Sequence, residues 1–215
     1  MHASRRGFTL AELVLALAIT TVIGLAVTGV AAAVSNFNAR AEAYYDCLQN
    51  GRVAATRLEE MMRPALLLTA ASGDKMVVWT GDTTDPGKIN VSEVTTVYLD
   101  TQTKQLMQRT TVYPSSLTAS QIQSLDTSIV LSNLTSAGVA TSPVKYVQYD
   151  VTSVLARNVQ SFVVYPDSPA PLTRLLKFKL VVSADGQTVT QYGAATLRAP
   201  STSNVSVSNG TYVLN

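Results

Sequence analysis

Arg5-Arg6-Gly7-Phe8 stands just ahead of a lone carboxylate, Glu12, and this spacing supports one piece of chemistry. Gly7 has no side chain to keep a protease from the backbone. Cutting the Gly7–Phe8 bond would leave an α-amine on Phe8, a cation with a pKa near ~8. That amine would lie within about one helical turn of Glu12, or beside the Glu12 of a neighbouring copy. Its own chain offers Glu12 no lysine or arginine on the turns that follow. From Leu13 to Val34 run 22 residues without a charge, a proline or an amide side chain. A carboxylate at the edge of such a stretch is costly and normally has a partner and a task.

Other chemistry has little to work with. The single histidine, His2, precedes the cut, so the remaining chain lacks the usual zinc ligand and the base of Ser/Cys–His pairs. Cys47 is alone and reads as a small buried hydrophobe, with an intersubunit bond as the alternative. Asp74, Asp82 and Asp85 lie near glycines, but no glutamate follows at the spacing of a twelve-residue calcium loop. They read as solvated turn residues. Asn90, Asn133, Asn204 and Asn209 open glycosylation sequons of the kind a Ser/Thr-rich chain produces by chance. Trp79 and most of the nine tyrosines fall on helix or strand patterns where packing accounts for them. No phosphate loop or nucleophile elbow appears. The reading is no enzyme, no cofactor and no metal.

The elements that position Glu12 begin with a helix. At ~1.5 Å per residue the 22-residue stretch covers roughly 33 Å, enough to cross a bilayer core of about 30 Å. Gly24 and Gly29 could soften it, and kinking is left open. Beyond Val34 the helix continues with an amphipathic seam of Phe37, Ala41, Tyr44, Leu48, Gly51, Ala55, Leu58 and Met62, ended by Pro64. Unbroken from Leu10 to Arg63 it would reach ~80 Å. The seam includes Gly51 and two alanines, so burial under a sheet of the same chain is favoured over a free coiled coil. From residue 65 the pattern alternates. Strands are predicted at 75–80, 91–100, 104–113, 129–134, 145–154, 158–165, 172–183 and 187–197, with a short Ser- or Thr-capped helix within 115–125. Leu176, Phe178, Leu180 and Val182 share one face of a strand while Lys177 and Lys179 point away. Ala184-Asp185-Gly186 closes a hairpin, and Tyr212-Val213-Leu214 either adds an edge strand or belongs to a loose tail.

Gly7-Phe8-Thr9-Leu10 followed by Glu12 resembles the prepilin cleavage and methylation signature of type IV pilins and type II secretion pseudopilins. The Val154–Tyr165 and Leu172–Leu180 segments, with Thr196-Leu197-Arg198, look like the layout of J-type minor pseudopilins and W-type minor pilins. The resemblance implies an α+β, pilin-like fold, with the second half of the helix on an antiparallel sheet. It divides the chain into a leader (1–7), a transmembrane half-helix (8–34), an amphipathic half-helix (35–64), a β-rich domain (65–199) and a tail (200–215). It implies cleavage between Gly7 and Phe8 by a prepilin peptidase, N-methylation of Phe8, and pairing of Glu12 with the terminal amine of an adjacent subunit. The implied partners are other pilin or pseudopilin subunits, an inner-membrane assembly platform and the lipid bilayer. The basic leader stays cytoplasmic and the body lies outside.

Removing residues 1–7 takes Lys+Arg from 16 to 14 against 14 Asp+Glu, a neutral chain on which no nucleic-acid surface is expected. Three readings follow. The first is a minor pilin or pseudopilin that initiates or caps a filament. The second is an adhesin or DNA-uptake subunit at its tip, which would need an exposed aromatic or basic patch on the sheet domain. The third is a signal-anchored extracytoplasmic enzyme, which would need a catalytic cluster that the chain after the cut lacks. An ordinary signal sequence cut near Ala39-Arg40-Ala41 is disfavoured, because the apolar core is too long for a cleaved segment.

Overall fold

The computed structural model describes residues 9–81, 87–131, 149–197, 205–208 and 211–214. Gly7, Phe8, Asp82, Asp85, Asn133, Arg198, Asn204 and Asn209 lie outside them. The chain divides into two compact units, one up to Ala43 and one from Tyr44 onward. Helix α1 (Leu10–Met62, 53 residues) contributes to both and runs through Gly24 and Gly29 without interruption.

In the first unit α1 stands alone, and its side chains from Leu10 to Val34 are exposed. Its most apolar stretch has a mean hydropathy of 2.4 and is long enough to cross a membrane. The few hydroxyls there are satisfied within the helix. Thr20, Thr21 and Thr28 donate to the carbonyls of Ala16, Leu17 and Gly24 one turn back, at 2.7, 2.7 and 3.0 Å. Such bonding suits lipid, where an unpaired polar group costs several kcal/mol.

In the second unit the end of α1 packs with antiparallel sheets, an α+β architecture of pilin type. Pro64 lacks an amide hydrogen and ends the helix, while Arg63 N–H still donates to Glu59 O at 2.9 Å. The strands are β1 (Leu67–Ser72), β2 (Lys75–Trp79), β3 (Ile89–Asn90), β4 (Val94–Asp100), β5 (Gln105–Thr111), β6 (Ser128–Ile129), β7 (Asp150–Ala156), β8 (Val159–Pro166), β9 (Leu175–Ala184), β10 (Gln187–Thr196), β11 (Val205–Ser208) and β12 (Thr211–Leu214). They form a five-stranded sheet ordered β1-β2-β4-β5-β7 and a three-stranded sheet ordered β10-β9-β8. Two small pairs, β3-β6 and β11-β12, complete the set. Backbone bonds tie the large sheets together. Val159 N–H donates to Lys104 O at 2.8 Å, and Val164 N–H to Gly73 O at 3.2 Å.

Most predicted elements appear; the short strands β3 and β11 were not among them, and three further differences stand out. Residues 91–93 form a 3₁₀ turn ahead of β4, because the Glu93 carboxylate folds back to accept Asn90 N–H at 3.2 Å. The 129–134 strand shortens to β6 among the described residues. Leu67–Ser72 was not predicted; as the outermost strand of its sheet it pairs with β2, and its run of buried residues lacks clean alternation. The short helix is α2 (Ala119–Leu125), capped by Thr118 with Gln121 completing a reciprocal capping box. The β9–β10 hairpin turns through Asp185 (φ 48°) and Gly186 (φ 76°), left-handed conformations suited to its tight loop.

The main core runs from α1 through both large sheets. Leu176, Phe178, Leu180 and Val182 face it from β9, none more than 2% exposed. The helix seam differs from the expected one: Phe37 is 71% and Tyr44 43% exposed. The buried line is Cys47, Gly51, Ala54, Leu58 and Met62, with Leu48 and Ala55 partly buried. Small residues win because helix and sheet approach closely. A Cβ at Gly51 would lie 2.8 Å from Gln191 Cγ, which leaves no space on that line for an aromatic ring. A second core covers the other side of β1 and β2, with Trp79, Val77 and Ile89 at its centre. There the buried Glu93 carboxylate accepts the Trp79 indole N–H at 3.1 Å.

Candidate functional site

Glu12 lies in the first turn of α1, where its partner is Thr9. Thr9 N–H and Thr9 Oγ1 donate to Glu12 Oε2 at 2.9 and 3.0 Å, and Glu12 N–H donates back to Thr9 Oγ1 at 3.3 Å. This is a capping box. A Thr three residues ahead of a Glu satisfies two of the helix's orphan amides, and the carboxylate sits at the positive end of the dipole. The Thr-x-x-Glu spacing carries this signal in the sequence itself. The arrangement fixes Glu12 at the helix start within a single chain and leaves Oε1 without a hydrogen bond among the described residues. Gly7 and Phe8, the predicted cleavage and methylation residues, precede the described chain, so their distance from Glu12 is not part of this geometry.

A second concentration of functional groups lies in the other unit, on the outer face of the β8–β9–β10 sheet. The alternation of β9 turns Lys177 and Lys179 away from the core, as predicted. Register places Tyr165 opposite Lys177 and Tyr192 opposite Lys179. Both tyrosines are open, at 50% and 71% exposure. The same residues border a groove of about 690 Å³ that extends to Glu59 of α1 and to Gly193. Gly193 leaves room on the opposite, core-facing side of β10. A Cβ there would stand 2.2 Å from Phe178 Cζ and 2.9 Å from Glu59 Oε1, so only glycine lets the Phe178 ring lie across the strand. An exposed aromatic and basic patch is what the binding-module reading required, and sequence reading did not assemble it. Tyr165 and Tyr192 are far apart in the chain, and only pairing across β9 brings them to one face.

The remaining predicted residues converge on no chemistry. Cys47 is 1% exposed, its Sγ 3.9 Å from Gln187 O. Asn90, the first sequon residue, is 1% exposed and folded into the second core region. Asp74 contributes its backbone carbonyl to Leu99 N–H. No group of three or more His, Cys, Asp or Glu side chains comes together among the described residues.

Comparison with known proteins bears on the first site. Residues 2–34 match the family described as the prokaryotic N-terminal methylation motif. That match covers the Arg5–Phe8 junction, Thr9, Glu12 and the apolar run. No curated protein and no solved structure matches the chain significantly.

Proposed function

We propose that this chain, which carries at residues 2–34 the N-terminal methylation motif of type IV pilins and pseudopilins, is a minor pilin or pseudopilin that initiates or caps a filament. One observation carries the reading: an apolar helical stretch, exposed from Leu10 to Val34, whose first turn holds a single carboxylate. An exposed apolar stretch of this length is costly in water and has two fitting environments, a bilayer and the helical core of a filament. The N-terminal apolar helix and the motif together fit anchoring in the inner membrane. In this reading a prepilin peptidase cuts between Gly7 and Phe8 and the new Phe8 amine is methylated. The basic leader lies on the cytoplasmic side, and the sheet-bearing unit lies beyond the membrane. Glu12 meets the Phe8 amine of the neighbouring subunit, and an inner-membrane platform drives assembly.

The test has two parts. Intact-mass measurement on membrane-extracted protein is expected to show loss of residues 1–7, with one methyl group added. Quantification in sheared filaments is expected to place the chain far below the principal subunit. A mature chain that retains Met1–Gly7 beside an active peptidase would overturn the processing assignment. An abundance equal to the principal subunit would overturn the initiating or capping role.

A second reading, a binding subunit displayed on the same class of filament, is favoured by the Tyr165–Lys177 and Lys179–Tyr192 pairs on one open sheet face.

A further inference from the structure

Lys177 and Lys179 form no ion pair among the described residues. Their charges therefore stand at an open face between two exposed tyrosine rings. Tyr165 and Tyr192 lie on the strands either side of β9, offset by two positions along it. At a strand spacing of ~4.8 Å and a rise of ~3.4 Å per residue, their Cα atoms are roughly 12 Å apart along a diagonal that passes between the lysines. Two aromatic platforms at that separation match an oligomeric ligand better than a single ring.

We propose that this face is a docking surface for an acidic saccharide, a chain of uronic-acid type bearing carboxylates and many hydroxyls. The two ammonium groups bind a carboxylate through charge-assisted hydrogen bonds. Tyr165 and Tyr192 cover the apolar faces of sugar rings, and their phenolic hydroxyls stay free to hydrogen-bond. A nucleic-acid strand brings one negative charge per nucleotide and needs a continuous basic track. Here there are two lysines, on a chain whose charges balance once the leader is removed. An acidic peptide would satisfy the lysines but would bring no succession of sugar rings for the two tyrosines to cover.

The test uses the full chain in mild detergent and fluorescence anisotropy with four labelled probes. These are a galacturonate oligomer, a neutral glucan oligomer of the same length, oligothymidylate and an oligoglutamate peptide. The galacturonate oligomer is expected to bind at least about tenfold more tightly than the other three, with affinity falling as salt rises. The double variant Lys177→Gln/Lys179→Gln is expected to weaken it about tenfold or more, and Tyr192→Ala by several fold. All three side chains lie on the outer face, and an unchanged Trp79 emission will show that the variants are folded. Equal binding of the neutral glucan overturns the charge recognition. Preference for oligothymidylate or oligoglutamate overturns the saccharide assignment in favour of that class. Absence of binding, or galacturonate binding indifferent to all the substitutions, overturns the site.

Discussion

The observed cap and the proposed pairing of Glu12 can be separated, because glutamine can replace glutamate in a capping box but cannot carry its charge. In Glu12→Gln the side-chain oxygen still accepts from Thr9, so the helix start is preserved while the charge is removed. Thr9→Ala does the reverse: it removes a cap of about 1 kcal/mol and keeps the carboxylate. If Glu12 sets the register between subunits, single-cysteine variants in the upper span, with Cys47 replaced, will crosslink to partner subunits in Thr9→Ala as in the parent. They will crosslink much less in Glu12→Gln, although that variant still inserts and is still cleaved. Loss of equal size in both variants would assign Glu12 to capping alone. Crosslinking retained in Glu12→Gln would fit a copy at the very tip, with no subunit ahead of it to pair with.

At the scale of elements, the contact between α1 and the sheets depends on small residues, and substitutions should sort accordingly. Leu58 is fully buried, so Leu58→Ala is expected to cost about 2–5 kcal/mol. Phe37→Ala should change stability by less than about 0.5 kcal/mol, since its ring is 71% exposed. On β10, Gly193→Ala would drive a methyl group into the Phe178 ring and is expected to cost about 1–3 kcal/mol through overpacking. Denaturant midpoints read from Trp79, the only tryptophan and itself buried, will measure all three. An equal midpoint for Leu58→Ala and the parent would mean that the core packing described for α1 does not contribute.

For the whole molecule, two exposed carboxylates link stability to pH. Asp100 closes the β4–β5 turn by accepting from Thr103 Oγ1 at 2.7 Å and from the Gln102 and Thr103 amides, and these bonds hold its pKa below the usual value. Asp167 is lowered chiefly by the Arg174 amide across the β8–β9 connection. A folded-state pKa below the unfolded one adds stability that is fully present above the unfolded value, near pH ~4. It is lost as pH falls through the folded one. Stability from these groups should therefore hold from neutrality down to about pH 5 and decline below about pH 4. The double variant Asp100→Asn/Asp167→Asn is expected to show a shallower acid decline and a lower midpoint at pH 7. An identical acid slope in parent and variant would remove both turns from the account. Both lie on exposed connections, where solvent screening keeps the effect small.

Local rules carried much of this protein. The 22-residue uncharged run, the Gly7-Phe8 junction, the Pro64 stop, the alternation that separates Leu176, Phe178 and Leu180 from Lys177 and Lys179, and the Asp185-Gly186 turn each depend on neighbours in the chain. A periodicity or a backbone preference is therefore enough to reveal them. The Thr9–Glu12 cap belongs with these and was readable too. What only the tertiary structure decided depends on distance between elements. Hydrophobicity nominated Phe37 and Tyr44 for the seam beside Gly51, Leu58 and Met62, but the packing of helix on sheet left those two rings exposed and buried Ala54 instead. Leu67–Ser72 became a strand because β2 supplied its hydrogen bonds. The sheet face with Tyr165, Lys177, Lys179 and Tyr192 exists only in the register of three strands. Pairing over that range is fixed by packing many residues away, which no local pattern encodes.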